Sequence, residues 1–421
     1  MKFLNLLFVL FTANFLYAQN KVVDTNQVVT PNRVNTEQTL QKPYVILISA
    51  DGFRYDYFKK YKAKNLLNIA AKGVWAKKGM HPSYPSITFP NHYSIITGLY
   101  PSHHGIVDNI FYDSIRKETY KIGSKTVIDG TWYNGLPLWA LAEKQGMLSA
   151  SLFWVGSESN AANTRPTYWY HYHEKFKGDA KVNIIKNWLT LPDSIRPHFI
   201  TLYFPEVDYY GHKFGPDAKE TEASVHYIDV AIKKLVDSLQ PLNLPINFIF
   251  VSDHGMIAVE EKDYIPLPEI DSKKFTVINS YTLVRVTAKD KLDVLPLYQK
   301  LLNEKTDDYN VYLANNFPEK LNYSSREDTI GRIGDILLVP VGSKLLVNKN
   351  KKPTYGKHGF NSYEIPEMKA SFIAWGENFK KGKKIKTFQN IHIYPLVASI
   401  LDLEILQPID GSLKVLQKTI R

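Results

Sequence analysis

The sequence predicts an α/β fold: a central, mostly parallel sheet with helices on both faces and a small inserted α+β subdomain. Three observations predict it. From Tyr44 onward, apolar β-rich runs alternate with amphipathic stretches, the pattern of strand–helix–strand units that pair in parallel. Asp and His residues recur just after three of those runs, at the carboxyl ends of strands where open α/β sheets bind their ligands. Near 268–347 the alternation breaks, and β-rich segments surround one helical stretch.

Each element follows from its local pattern. Tyr44–Ala50 is apolar almost throughout, as a strand buried on both faces reads. Asp56–Lys72 has helical periodicity, and Gly73 ends it. Leu136–Gln145 is helical and Leu148–Trp154 a strand; Lys181–Leu189 is helical and Phe199–Phe204 a strand. Pro216 is expected to open a long helix reaching about Leu239, since proline suits a first helical position. Ile246–Val251 is the next strand. In the insertion, Thr276–Val286 and Ile336–Val347 are β-rich and Leu292–Leu302 is helical. The main sheet resumes at Ala370–Trp375, and Ile391–Leu401 is a closing helix.

The chain has 421 residues, 44% of them hydrophobic, enough for one large domain with insertions. Residues 1–18 read as a secretory signal: Lys2 gives a positive start, Phe3 to Phe15 is mostly apolar, and Ala18 ends the segment. A membrane anchor would need about 20 apolar residues, and no later segment is long and apolar enough to span. Residues 19–42 are polar and read as a flexible leader, leaving 43–421 as one folded domain, with its insertion at about 268–347. Cysteine is absent, so disulfides are excluded and any metal must be held by oxygen and nitrogen. An exported chain without cysteine fits a bacterial periplasm, or secretion, better than a disulfide-stapled extracellular setting. The net charge of +11 is partly concentrated in Lys380-Lys381-Gly-Lys-Lys384 and Lys349-Asn-Lys-Lys352. It reads as a solvated surface that also favours anionic substrates. No nucleic-acid motif accompanies the charge, so no specific nucleic-acid partner is expected.

The chemistry-bearing residues fall in short groups. Asp51 follows Tyr44–Ala50, Asp208 and His212 follow Phe199–Phe204, and Asp253 and His254 follow Ile246–Val251; His358 stands between Lys357 and Gly359. Carboxylate and imidazole donors gathered at strand ends suit a pair of zinc-class ions. The spacing of Asp208 and His212 is read as a loop in which Gly211 lets the chain bend. Ser83-Tyr-Pro-Ser-Ile-Thr88-Phe-Pro-Asn-His92 leads into a helix expected over Asn91–Thr97, with Gly98 and Pro101 ending it. Thr88 then sits at a helix N-terminus, where backbone N–H groups favour an anion. Alone, Thr88 would be an N-cap; the surrounding Asp and His groups make it a candidate nucleophile. His92, His103, His104, His171, His173 and His392 are given no ligand role.

The whole set resembles the nucleotide pyrophosphatase/phosphodiesterase family of the alkaline phosphatase superfamily. The matching segments are Ser49-Ala-Asp51-Gly-Phe-Arg54, Tyr84-Pro-Ser-Ile-Thr88-Phe-Pro-Asn-His-Tyr-Ser-Ile-Ile-Thr-Gly98, His104-Gly-Ile-Val-Asp-Asn109, Phe153-Trp-Val-Gly-Ser-Glu158, Arg165-Pro-Thr-Tyr-Trp169, Tyr203-Phe-Pro-Glu-Val-Asp-Tyr-Tyr-Gly-His212, Ser252-Asp-His-Gly-Met256 and Gly356-Lys-His-Gly-Phe360. The resemblance runs from about residue 43 to 411. The family often has Gly-Tyr-Asp after its last metal histidine, where this chain has Gly359-Phe-Asn361; Trp169–Lys177 reads as an insertion, and the cysteine-rich domains of animal members are absent. The resemblance implies an alkaline-phosphatase-like fold and two Zn²⁺ per chain. One zinc would be held by Asp208, His212 and His358. The other would be held by Asp51, Asp253 and His254, with Thr88 as a further ligand. Asn109 would donate to a phosphate oxygen, and Phe89 and Tyr168 would flank a nucleobase.

The expected reaction is hydrolysis of phosphodiester or pyrophosphate bonds in nucleotides. Thr88 attacks phosphorus, a phosphothreonine forms, and water releases a nucleoside 5′-monophosphate. Asn109 and the Phe89 N–H are expected to hold the equatorial oxygens, and the neutral Asn109 suits a singly charged diester better than a monoester dianion. The alternatives are a choline, glycerophospho- or lipid-headgroup phosphodiesterase on the same core, or a catalytically silent binding protein. Retention of every ligand speaks against the silent reading.

Overall fold

The structure is a computed structural model that describes residues 25–174, 176–328, 330–348 and 354–421. Its centre is a nine-stranded sheet. Five strands in the middle are mutually parallel, in the order Tyr168–Tyr170, Ser149–Leu152, Phe199–Phe204, Tyr44–Ala50, Ile246–Val251. Gln27–Val29 pairs antiparallel at one edge. Beyond Ile246–Val251 come Phe372–Gly376 and Val74–Trp75, each antiparallel to its predecessor, and then Lys383–Lys384 at the other edge. This is an α/β fold with a large mixed sheet, as the alternating pattern predicts.

Helices cover both faces because neighbouring side chains of each strand point to opposite sides. Val45 and Leu47 enter one core, together with Tyr93, Ile95 and Ile96 of the helix Thr88–Thr97 and residues of Leu138–Lys144 and Ile393–Ile400. Ile46 and Ile48 enter the other, against Lys64–Lys72, Gly178–Leu189 and Lys219–Leu239. Within the insertion, Phe275–Asn279, Val284–Ala288, Ile336–Pro340 and Tyr309–Leu313 form an antiparallel sheet in that order. With the helix Val294–Glu304 they enclose a separate apolar core that includes Val286, Leu301 and Leu338.

Several expectations need correction. The signal expected at 1–18, and the first residues of the leader, lie outside the described residues. Residues 25–42 are not the flexible segment expected. Gln27–Val29 is a sheet strand, and the Asn35 amide donates to the Asp193 and Arg196 carbonyls at 2.8 and 2.7 Å while its oxygen accepts the Leu148 N–H at 2.8 Å. Backbone pairing and one buried amide tie down a segment whose polar composition suggested no anchor. The helix expected from Asp56 is broken into Tyr57–Lys60 and Lys64–Lys72, with Lys62 left-handed at φ 51° between them. The long helix starts at Lys219, so Pro216 lies before it rather than at its first position. Pro101 opens a further short helix, Pro101–His104.

Candidate active site

The helix Thr88–Thr97 begins three residues earlier than expected, so Thr88 is its first helical residue and not its cap. Gly98, at φ 70°, ends it; a β-carbon there would meet Tyr394 Cβ at 2.9 Å. Asp208 and His212 are not in a loop either. They lie on the helix Glu206–Phe214, one turn apart and therefore on one face. The helix runs through Gly211 without a bend, and the close approach is at Gly356: a β-carbon there would lie 2.2 Å from the Gly211 carbonyl oxygen, so the helix is pressed onto that glycine. Gly52, at φ 65°, gives Asp51 the same close approach, since a β-carbon there would meet Asp208 Cα at 2.9 Å.

These contacts bring the expected donors together. His358 Nε2 lies 3.0 Å from His212 Nε2 and 3.6 Å from Asp208 Oδ1, and His212 Nε2 is 3.5 Å from the same oxygen. His254 Nε2 lies 2.9 Å from Asp253 Oδ2, 3.5 Å from Asp51 Oδ1 and 3.2 Å from Thr88 Oγ1. The His254 and His358 rings stack with centroids 3.6 Å apart and thereby join the two groups. Asp208 also closes a set with Asp51 and His254 whose ligand atoms all lie within 4.8 Å of one another.

The hydrogen bonding of the rings shows what this cluster lacks. Nδ1 of His212 faces the Gly356 carbonyl at 2.8 Å, that of His254 the Gly255 carbonyl at 2.9 Å, and that of His358 the Ser86 carbonyl at 2.9 Å. A carbonyl only accepts, so each Nδ1 carries the hydrogen and each neutral ring presents a bare lone pair at Nε2. Two such lone pairs therefore face each other across 3.0 Å. Asp51 Oδ1, Asp208 Oδ1 and Asp253 Oδ2 are buried there without a hydrogen-bond donor. Lone pairs and carboxylate oxygens packed together without protons call for cations. Oxygen and imidazole donors in this number fit two zinc-class ions, with Asp208, His212 and His358 able to hold one and Asp51, Asp253 and His254, beside Thr88, able to hold the other.

The electrostatics agree. Burial, followed by the charges of Asp253 and Asp208, raises the Asp51 carboxyl well above the usual carboxylate range. Burial opposes ionisation of Asp253 too, but the positive charge that a proton on His254 or His92 would bring outweighs it and holds this carboxyl low, the same demand for a cation that the bare lone pairs make. Burial and the neighbouring His254 and His212 rings push His358 well below the usual imidazole range.

Two further groups support the cluster without belonging to either ligand set. His92 donates from Nδ1 to the Thr88 carbonyl at 2.9 Å and accepts at Nε2 from Ser49 at 2.8 Å. It also lies 3.5 Å from Asp253 Oδ2, yet both its nitrogens are used, so it supports the site and is not a ligand. Its spacing of four residues from Thr88 was the signal available. Tyr203, which opens the matching segment that runs to His212 but carried no role there, donates its hydroxyl to Asp51 Oδ2.

A cavity of about 1020 Å³ opens over the cluster and is lined by Asp51, Thr88, Asp208, His212 and His358. Phe89 and Asn109 line it as well. The Phe89 N–H donates to Asn109 Oδ1 at 3.0 Å, so it is not the free oxyanion donor expected; instead it fixes the Asn109 amide and leaves Nδ2 as the donor. Tyr168 does not line the cavity. Its ring is buried in the core with Trp188, and its hydroxyl donates to the Ile195 carbonyl at 2.8 Å. The reason is register: Tyr168 lies on a sheet strand and is 7% exposed. The aromatic wall comes from Tyr172, 44% exposed, with Phe153, Trp154, Tyr203 and Tyr209. Glu158 and Glu174 add two carboxylates to that wall.

The family described as "Type I phosphodiesterase / nucleotide pyrophosphatase" matches residues 45–364. A pyrophosphatase/phosphodiesterase of Schizosaccharomyces pombe, itself uncharacterized, is 36% identical over 397 residues, covering 87% of this chain and 78% of its own length. Human ectonucleotide pyrophosphatase/phosphodiesterase family member 1 is 33% identical over 378 residues, covering 86% of this chain and 40% of the human protein. The venom phosphodiesterase of Macrovipera lebetinus is also 33% identical, with 43% of its length covered. The chain thus spans about two fifths of those two longer relatives. Murine ectonucleotide pyrophosphatase/phosphodiesterase 5, solved as an inactive threonine-to-alanine variant in complex with AMP, superposes with a TM-score of 0.83 at 26% identity, covering 90% of this chain and 100% of the murine one. The chain belongs to the type I phosphodiesterase/nucleotide pyrophosphatase family and is a phosphodiester-hydrolysing enzyme of it.

Proposed function

We propose that the protein is a zinc-dependent nucleotide pyrophosphatase/phosphodiesterase that releases nucleoside 5′-monophosphates through a phosphothreonine at Thr88. The observation that carries this reading is the placing of the Thr88 hydroxyl, 3.2 Å from His254 Nε2, at the edge of the paired ligand sets and on the cavity wall. Two bound zinc ions would supply Lewis acidity, lowering the hydroxyl pKa and neutralising the leaving oxygen. Thr88 Oγ attacks phosphorus and expels the leaving oxygen, forming a phosphoester on Thr88. Water then attacks the same phosphorus and restores the hydroxyl. Asn109 Nδ2 donates to a non-bridging oxygen, where charge gathers in both steps. A neutral amide suits the single charge of a diester. Phe89 and Tyr172 offer aromatic faces to a base within one cavity. The murine relative's complex with AMP, and its inactivation by a threonine-to-alanine change, support the same reading.

A second reading has one observation in its favour. Glu158, Glu174 and Tyr172 form an acidic, aromatic wall of the kind that suits a cationic headgroup such as choline. A substrate panel with zinc present separates the two: a nucleoside 5′-monophosphate aryl ester, a dinucleoside polyphosphate, glycerophosphocholine and a simple monoester. Faster turnover of the nucleotides supports the first reading; a steep preference for glycerophosphocholine overturns it.

Export to a periplasm or to the medium is part of this proposal and rests on the leader 1–18 and the absence of cysteine. The relatives named above are eukaryotic, so a bacterial setting rests on the sequence alone. No helix among the described residues is long and apolar enough to cross a membrane.

A further inference from the structure

Asn109 is held in place from another part of the chain. The carboxylate of Asp108, just before it, is buried and accepts the Asn109 N–H at Oδ1. Its other oxygen, Oδ2, accepts from Ser280 Oγ at 2.8 Å and from Arg285 Nη1. Arg285 lies on the strand Val284–Ala288 of the inserted sheet, and Ser280 in the turn before that strand. Arg285 Nη2 reaches on to the Ile110 carbonyl at 2.7 Å. One guanidinium therefore binds the residues on both sides of Asn109, and Asn109 in turn holds the Phe89 N–H next to Thr88.

The pair is costly to build. Arg285 and Asp108 side chains are each 2% exposed, and a buried ion pair is often no more stabilising than apolar residues of similar size. Stability alone does not account for it. A second arginine provides the contrast. Asn109 leads into a hairpin of Ile110–Asp113 and Glu118–Lys121, and Arg332 grips its far end, donating from Nε to Asp113 Oδ2 at 2.9 Å and from Nη1 to the Gly105 and Trp132 carbonyls at 2.8 and 2.7 Å. It holds the hairpin as a body without touching the neighbours of Asn109.

We propose that Arg285 is a positioning residue for the reaction: through Asp108 and the Ile110 carbonyl, the inserted sheet fixes the Asn109 amide where its Nδ2 meets the phosphate. This rests on the reading that Asn109 donates to phosphate. The claim concerns orientation, which groups outside a reacting constellation supply by locking the residues that touch the substrate.

The test is a double-mutant cycle on the zinc-loaded full chain with bis-p-nitrophenyl phosphate. Arg285→Lys, which keeps the charge but not the fork, should lower kcat about 10- to 100-fold, the range of such supporting groups. In an Asn109→Ala background the same change should cost less than about twofold, because the group it orients is gone. Its effect on Tm should be equal in both backgrounds. Arg332→Lys should lower Tm without an Asn109-dependent loss of kcat. An equal kcat loss in both backgrounds, an unchanged kcat in folded Arg285→Lys, or the same Asn109 dependence for Arg332→Lys would overturn the proposal. If Arg285→Lys does not fold, Asp108→Asn, which keeps the shape, takes its place in the cycle with the same expectations. Asn109→Ala alone tests the underlying reading: an unchanged kcat there removes the phosphate role itself, whatever Arg285 does.

Discussion

Asp51, Asp208 and Asp253 each follow one of the parallel strands of the central sheet, whereas Phe89, Asn109 and Tyr172 on the cavity wall come from a helix start, the residue before a hairpin strand and a loop. The three carboxylates of the candidate metal cluster are fixed by the sheet itself, because adjacent parallel strands end side by side. The wall is fixed by distant partners: Asn109 by the inserted sheet, and the Tyr172 N–H by Glu158 at 2.8 Å. Chemistry common to the family is therefore expected in the cluster, and substrate choice in the wall.

The largest effects should separate the cluster from everything else. Chelation of bound zinc should abolish turnover and lower Tm, since uncompensated carboxylates and lone pairs would remain buried; a differential scan with and without chelator checks it. Thr88→Ala should lower turnover by several orders of magnitude while elemental analysis still finds the metal, because Thr88 is one ligand among several. Thr88→Ser should keep partial activity.

The wall should respond differently. Tyr172→Ala should weaken nucleotide turnover roughly 5- to 150-fold, the worth of one stacked base, and mainly through KM, because the base contact is equal in ground and transition states. Bis-p-nitrophenyl phosphate, which has no base, should be barely affected. Tyr168→Phe is the control: it should leave both substrates unchanged and cost about 0.5–1.5 kcal/mol of stability through its lost hydrogen bond to the Ile195 carbonyl. Equal losses on both substrates in Tyr172→Ala would make that ring structural and merge the two regions.

The cluster was legible in the sequence because its signal is local. A buried apolar run followed by Asp, or by Asp-His, marks a strand end directly, and Thr88 is set against a helix start by Pro90 two residues on. The helix carrying Asp208 and His212 was missed because Gly211 reads as a breaker, whereas the close packing of that helix on Gly356 is tertiary and leaves no local signal. Tyr168 was misplaced for a similar cause. Its neighbours Arg165-Pro-Thr border a pocket in the resemblance, but alternation along a short strand sends the Tyr168 ring into the core, and the chain reaches the cavity only at Tyr172. The anchoring of residues 25–42 depended on Asn35 meeting carbonyls more than 150 residues away, which no local pattern reveals.

The smallest expected effect gives a baseline for pH work away from both regions. The hydrogen bond from His103 Nδ1 to Asp410 Oδ2, at 2.7 Å, raises this imidazole above its ordinary value, against partial burial. A raised folded value means the linked stability is complete below the unfolded value of about 6.5 and is lost as pH rises through the folded one. The Tm difference between wild type and His103→Gln should therefore be largest near about pH 5.5 and shrink toward about pH 8.5. The pair is partly exposed, so the effect should stay below about 1 kcal/mol.

One cluster is expected to hold two metal ions beside Thr88. Anomalous diffraction at the zinc edge from crystals of the zinc-loaded protein tests it most directly. The expected result is two peaks per chain, one among Asp208, His212 and His358 and the other among Asp51, Asp253 and His254 within coordination distance of Thr88 Oγ. A single peak, or zinc bound elsewhere with this cluster empty, would contradict it.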